Sequence, residues 1–92
     1  MSVIYTRTFE QDIKRIKRLG YNTNNLRKVI IKLYDRRKLD RKHKDHKLRG
    51  RLRGCRECRV EPDSQYDWLL IYWYKGGDLI LERTGSHSDL FS

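Results

Sequence analysis

Apolar residues recur at Phe9, Ile13, Ile16 and Leu19, in steps of four, three and three. That spacing puts them on one side of a helix. Lys14, Arg15, Lys17 and Arg18 fall mostly off the stripe, toward water. Thr8 with Gln11 three residues on reads as a capping box, and Gly20 as the stop. A short β-prone run, residues 3–6, precedes this helix. A second stripe follows at Leu26, Val29, Ile30, Leu33 and Tyr34. It predicts a second amphipathic helix, capped by the polar cluster 22–25 and ending between residues 36 and 39.

From there the period changes. Residues 40–53 are polar and basic and read as a connection. Residues 55–62 alternate briefly, with few helix signals. Residues 68–74 (WLLIYWY) are almost continuously apolar, as expected of a central strand covered on at least one face. Lys75-Gly76-Gly77-Asp78 predicts a tight hairpin turn, and Leu79-Ile80-Leu81 the partner strand. Ser86 is placed to cap a last short turn ending at Phe91. The pattern predicts an α+β fold: two N-terminal helices packed on a small antiparallel sheet of three or four strands, with a short C-terminal helical turn. Ninety-two residues fit one domain.

Charge sharpens the picture. The chain carries 22 Lys+Arg against 12 Asp+Glu, a formal net charge of +10. Seventeen of those cations and only three acids lie in residues 14–53. Such segregation predicts a basic face and a polyanionic partner. No apolar run reaches the length of a membrane span, so no membrane partner is expected. The N-terminal residues lack a secretory signal, which points to the cytoplasm and to reduced cysteines.

Three sets of residues have the chemistry for a site. His43 with His46 and Cys55 with Cys58 are zinc-type ligands in the right number. In a regular strand, however, Cys55 and Cys58 project from opposite faces, and the pairs stand closer than in common fingers. The reading adopted is therefore no metal and no cofactor, with two small reduced thiols. His46 and His87 are candidates for proton transfer, with Arg83 to brace a phosphate. Trp68, Tyr72, Trp73, Tyr74 and Phe91 are able to stack on bases. Alternation along 68–74 makes at least half of that run core, with Tyr72 and Trp73 preferred as core. Phe91, outside any strand, has little reason to be buried.

At this point the C-terminal half resembles a known family. Asp45-His46-x-Leu48-x-Gly50, Gly54-x-Arg56-Glu57-Cys58, Val60-x-Pro62, Trp68-Leu69-Leu70-Ile71-Tyr72 and the run from Arg83 to Phe91 (RTGSHSDLF) are similar to the YafQ branch of the RelE/ParE superfamily of bacterial type II toxins. The likeness is close over residues 44–92 and extends to the helical half only in pattern. It implies a RelE-like fold and a ribosome-dependent mRNA interferase, an endoribonuclease cutting mRNA in the ribosomal A site. The partners it implies are a cognate antitoxin, the ribosome with its rRNA, and mRNA, with no small-molecule substrate. The place it implies is the bacterial cytoplasm.

Site roles follow from the resemblance residue by residue. His46 matches the histidine of the family's D-H-x-L motif. Arg83 matches the arginine that stabilises phosphate charge, and His87 the histidine expected to act as general acid. Phe91 matches a terminal aromatic that orients the nucleotide, and Trp68 the tryptophan after the family's aspartate. Lys44, Arg49, Arg51 and Arg53 are expected to bind RNA through the basic connection. Two departures stand out. Arg59 occupies a family histidine position, and arginine does not exchange protons near neutral pH, so it is assigned to RNA binding. Four residues are also inserted between Pro62 and Trp68, so either Asp63 or Asp67 matches the catalytic aspartate, with Asp67 preferred. The competing reading is a non-catalytic toxin that binds a ribosome or a topoisomerase.

Overall fold

Thr6, not Thr8, starts the first helix. The computed structural model describes residues 2–91. In it α1 spans Arg7–Arg18, and the Thr6 hydroxyl accepts from the Phe9 backbone N–H at 3.0 Å. The same hydroxyl donates to the Glu82 carbonyl at 2.9 Å. Thr8 and Gln11 satisfy the local rule, but Thr6 satisfies it together with a tertiary bond 76 residues away. A cap of this kind is worth about 1 kcal/mol. At the other end, Gly20 adopts a positive φ of 81° and donates to Lys17, while Tyr21 donates to Ile16. These two bonds close the helix as a Schellman motif.

The second helix, α2, spans Thr23–Tyr34 and is capped by the Asn22 side chain. It stops earlier than predicted, because Arg36 takes the left-handed conformation at φ 57° and closes the last turn. Its guanidinium lies 3.7 Å from the centre of the Tyr74 ring. Leu26, Val29 and Leu33 of α2, with Phe9 and Ile16 of α1, are buried against Cys58, Leu70, Tyr72, Leu79 and Leu81 of the sheet. Leu19, the last residue of the predicted stripe, is exposed at the helix end.

The sheet has five strands in the order β1-β5-β4-β3-β2. These are β1 Val3–Tyr5, β2 His46–Lys47, β3 Arg56–Arg59, β4 Leu69–Lys75 and β5 Asp78–Gly85. β4, the apolar run, lies at the centre, with β5 joined to it through the predicted hairpin. Two edges were not foreseen. β1 pairs in parallel with β5, Val3 opposite Leu79 and Tyr5 opposite Leu81, so the sheet is mixed. β2, inside the basic connection, pairs antiparallel with β3. It is anchored from Asp45, which accepts from Arg56 at 3.0 Å and from the Tyr72 hydroxyl at 2.7 Å.

The last helix, α3, spans His87–Phe91. Ser86 and Asp89 cap it reciprocally: the Asp89 N–H donates to the Ser86 hydroxyl at 3.2 Å, and the Ser86 N–H to the Asp89 carboxylate at 3.1 Å. Those bonds hold Asp89 below the usual carboxylate range. No helix among the described residues is long and apolar enough to cross a membrane.

Candidate active site

His46 lies directly opposite Glu57, and Glu57 directly opposite Ile71, which in turn faces Arg83. Four strands therefore present these residues in one row. Beside the row is a cleft of about 350 Å³, lined by Lys44, His46, Glu57, Cys58, Arg59, Asp67, Leu69 and His87. Its lining combines carboxylates, imidazoles and cations.

The His46 ring is oriented from both sides. Nδ1 lies 2.7 Å from the Lys44 carbonyl. A carbonyl only accepts, so Nδ1 carries the proton and Nε2 faces the cleft. There it meets Glu57 Oε1 at 3.6 Å. Glu57 is only 8% exposed, and its Oε2 has no hydrogen-bond partner among the described residues. Burial pushes the Glu57 carboxyl above its ordinary range, with His46 and His87 pulling the other way. An imidazole nitrogen facing a carboxyl whose proton is held more tightly than usual makes a proton-accepting pair.

On the other side, the Asp67 carboxylate accepts from the His87 backbone N–H at 2.9 Å. It thereby ties the start of α3 to the loop before β4. The His87 and Phe91 rings lie 4.9 Å apart, tilted by 38°. Phe91 is 41% exposed and free to meet a base. Arg59 lines the cleft and donates to the Tyr66 carbonyl at 3.4 Å. Tyr66 belongs to the inserted turn, and its ring lies 5.7 Å from that of Tyr21, tilted by 34°. The insertion thus stands beside the cleft.

Several predicted site residues lie elsewhere. Trp68 is a core residue, 1% exposed, with its indole N–H bonded to the Thr84 hydroxyl at 2.8 Å. It has no surface to offer RNA, so its assignment to RNA binding is corrected. Asp63 pairs with Lys42 at 2.9 Å, outside the cleft, with its side chain 80% exposed. Asp67 lines the cleft and Asp63 does not. Asp67→Asn is expected to lower RNA cleavage at least tenfold and Asp63→Ala to leave it within twofold, measured with purified ribosomes and a defined message. Arg83 does not line the cleft; its guanidinium is bound to Asp12 of α1 at 2.8 Å. Arg49, Arg51 and Arg53 are exposed around the turn after β2, away from the lining.

The cysteine and histidine pairs do not converge. Cys58 is buried in the core and Cys55 half-buried, and burial raises both thiols, which keeps them protonated. His43 bonds the Arg59 carbonyl instead. Among the described residues no group of three or more His, Cys, Asp and Glu could hold a metal ion.

Sequence reasoning missed Glu57 as a site residue. Its signals were its place in the Gly54-x-Arg56-Glu57-Cys58 motif and a glutamate within an alternating segment, where strands seldom carry one.

Known proteins share this fold. The whole chain, residues 1–92, matches the family described as the YafQ bacterial toxin of type II toxin–antitoxin systems. The mRNA interferase toxin YafQ of Escherichia coli is 34% identical over 88 residues, 95% of this chain and 91% of that protein. A copper-bound mutant toxin from Helicobacter pylori superposes with a TM-score of 0.89 at 34% identity, over 99% of both chains. YafQ in the Escherichia coli DinJ–YafQ toxin–antitoxin complex superposes at 0.85 with 33% identity, over 98% of this chain and 96% of that one. With the family pattern matched from end to end and the fold shared with its solved structures, this chain belongs to the YafQ family of bacterial type II toxin–antitoxin toxins.

Proposed function

We propose that this chain is an mRNA interferase that cuts messages in the ribosomal A site and is restrained by a cognate antitoxin. The observation that carries this reading is the pairing of His46 with Glu57 across one cleft from His87. In the proposed reaction the His46–Glu57 pair takes the proton of a ribose 2′-OH. The 2′-oxygen attacks the adjacent phosphorus, and the bond to the 5′-oxygen breaks. His87 gives a proton to that leaving oxygen. The products are a 2′,3′-cyclic phosphate and a 5′-hydroxyl. Arg59 supplies positive charge for the phosphorane from the cleft lining, Arg83 from the end of the cross-strand row beside which the cleft lies, and Phe91 supports a base. Asp67 acts on His87 through the backbone. One positioned acid or base contributes about 10²–10⁴-fold. The scheme draws every proton and charge it needs from side chains and invokes no metal.

The +10 charge, concentrated in residues 14–53, supports docking on rRNA. The DinJ–YafQ complex of a relative supports an antitoxin partner. The test is cleavage of a message on purified ribosomes with an empty A site, mapped to the nucleotide. A cut within the A-site codon that needs the ribosome is the expected result. An intact message with the protein bound would overturn the catalytic reading in favour of a blocking toxin, with Arg59 in a proton-transfer position as the cause.

A further inference from the structure

Asp12 is 1% exposed, and three hydrogen bonds and an ion pair converge on its carboxylate. Arg83 Nε reaches Oδ2 at 2.8 Å and Arg83 Nη2 reaches Oδ1 at 3.2 Å. The Thr84 backbone N–H donates to Oδ2 at 3.0 Å. Arg15 Nη1, one turn along α1, lies 3.1 Å from Oδ1. The two bonds from Arg83 form a fork, which fixes the plane of the guanidinium as well as its position. Nη1 takes no part in the fork.

Arg15 extends the same hub. Its Nη2 donates to the Thr84 carbonyl at 3.1 Å, and its Nε lies 3.7 Å from Asp89 of α3. Gly85 makes room for it. A Cβ at that position would stand 2.6 Å from Arg15 Nη2, and the φ of +154° also disfavours a side chain. One turn of α1 thus holds both Arg83 and the entry to the helix that bears His87.

A purely stabilising purpose explains this poorly. Buried ion pairs are often matched or exceeded in stability by apolar packing. Orientation is what a bidentate carboxylate supplies and a leucine does not. Resting on the reading of Arg83 as a phosphate-stabilising group, we propose that Asp12 is a positioning residue: it holds the Arg83 guanidinium in the one orientation that serves the transition state.

The test is a double-mutant cycle on ribosome complexes, with single-turnover cleavage rate and ribosome affinity read separately. Asp12→Asn is expected to lower the rate at least tenfold and to leave affinity within twofold. In an Arg83→Ala background the same change is expected to have no further effect. Where the Asn variant does not keep the wild-type circular dichroism, the cycle is run with Asp12→Glu, which retains the charge and should lose less rate. An Asp12 variant that cleaves normally, or that loses the same factor in both backgrounds, overturns the positioning role. Wild-type cleavage by Arg83→Ala alone would instead overturn the role given to Arg83, and the positioning proposal with it.

Discussion

Replacing His87 by alanine should lower A-site cleavage by about 10²–10⁴-fold, the range set by losing one positioned proton donor. Ribosome binding should stay within twofold. The separation follows from how α3 is held. Its start is fixed by the His87 backbone N–H on Asp67, and its cap by Ser86 with Asp89. Alanine keeps all of those bonds, because none uses the imidazole. Only the ring contact with Phe91 is lost along with the proton donor. Growth arrest on expression gives the first reading, and cleavage kinetics with a parallel binding assay give the decisive one. A variant that still cuts at the wild-type rate would remove His87 from the role of general acid.

The second large effect is expected at Glu57, and it runs in opposite directions for activity and stability. Glutamate in an unfolded chain ionises at about 4.3. Burial raises the folded value above that. A group raised in this way contributes stability that is complete below the unfolded value and is lost as pH rises through the folded one. At neutral pH the charged Glu57 therefore weighs against the fold. Glu57→Gln should raise the melting temperature at pH 7 and should leave it unchanged near pH 3. The same substitution removes the carboxylate that faces His46 Nε2, so cleavage should fall by about 10²–10⁴-fold. In the wild type, cleavage should increase as pH rises through the Glu57 titration; the Gln variant should lack that rise. A Gln variant that melts lower at neutral pH, or that keeps the wild-type acid limb, would contradict the pairing. Stability given up at a catalytic position is the usual trade.

Much of this was legible in local pattern. The stripe from Phe9 to Ile16, the apolar run of β4 and the Gly76-Gly77 hairpin each carry their signal within a few residues. What escaped is what only distant residues decide. β2 is two residues long, His46 and Lys47, with no strand propensity of its own; it exists because Asp45 is anchored by Arg56 and Tyr72. Without β2 there is no register to set His46 opposite Glu57. The parallel pairing of β1 and the capture of Arg83 by Asp12 both join the two ends of the chain, and periodicity carries no trace of either. The motif around His46, Arg83 and His87 named groups for a site, but only the fold placed Asp67 in the cleft lining, paired Asp63 with Lys42 and sent Trp68 into the core.

The joining of the two ends also bears on how the protein is born. Val3–Tyr5 waits for residues 79–81, and Thr6 and Asp12 wait for residues 82–84. During synthesis β1 leaves the ribosome more than seventy residues before the strand it pairs with. Long-range pairing of this kind delays folding until its distant half is present. A nascent chain halted before residue 79 therefore lacks both the sheet edge that β1 needs and the arginine and histidine of the C-terminal segment. The poison cannot assemble piecemeal on the ribosome that is making it, and a message cut partway yields only fragments without the fold.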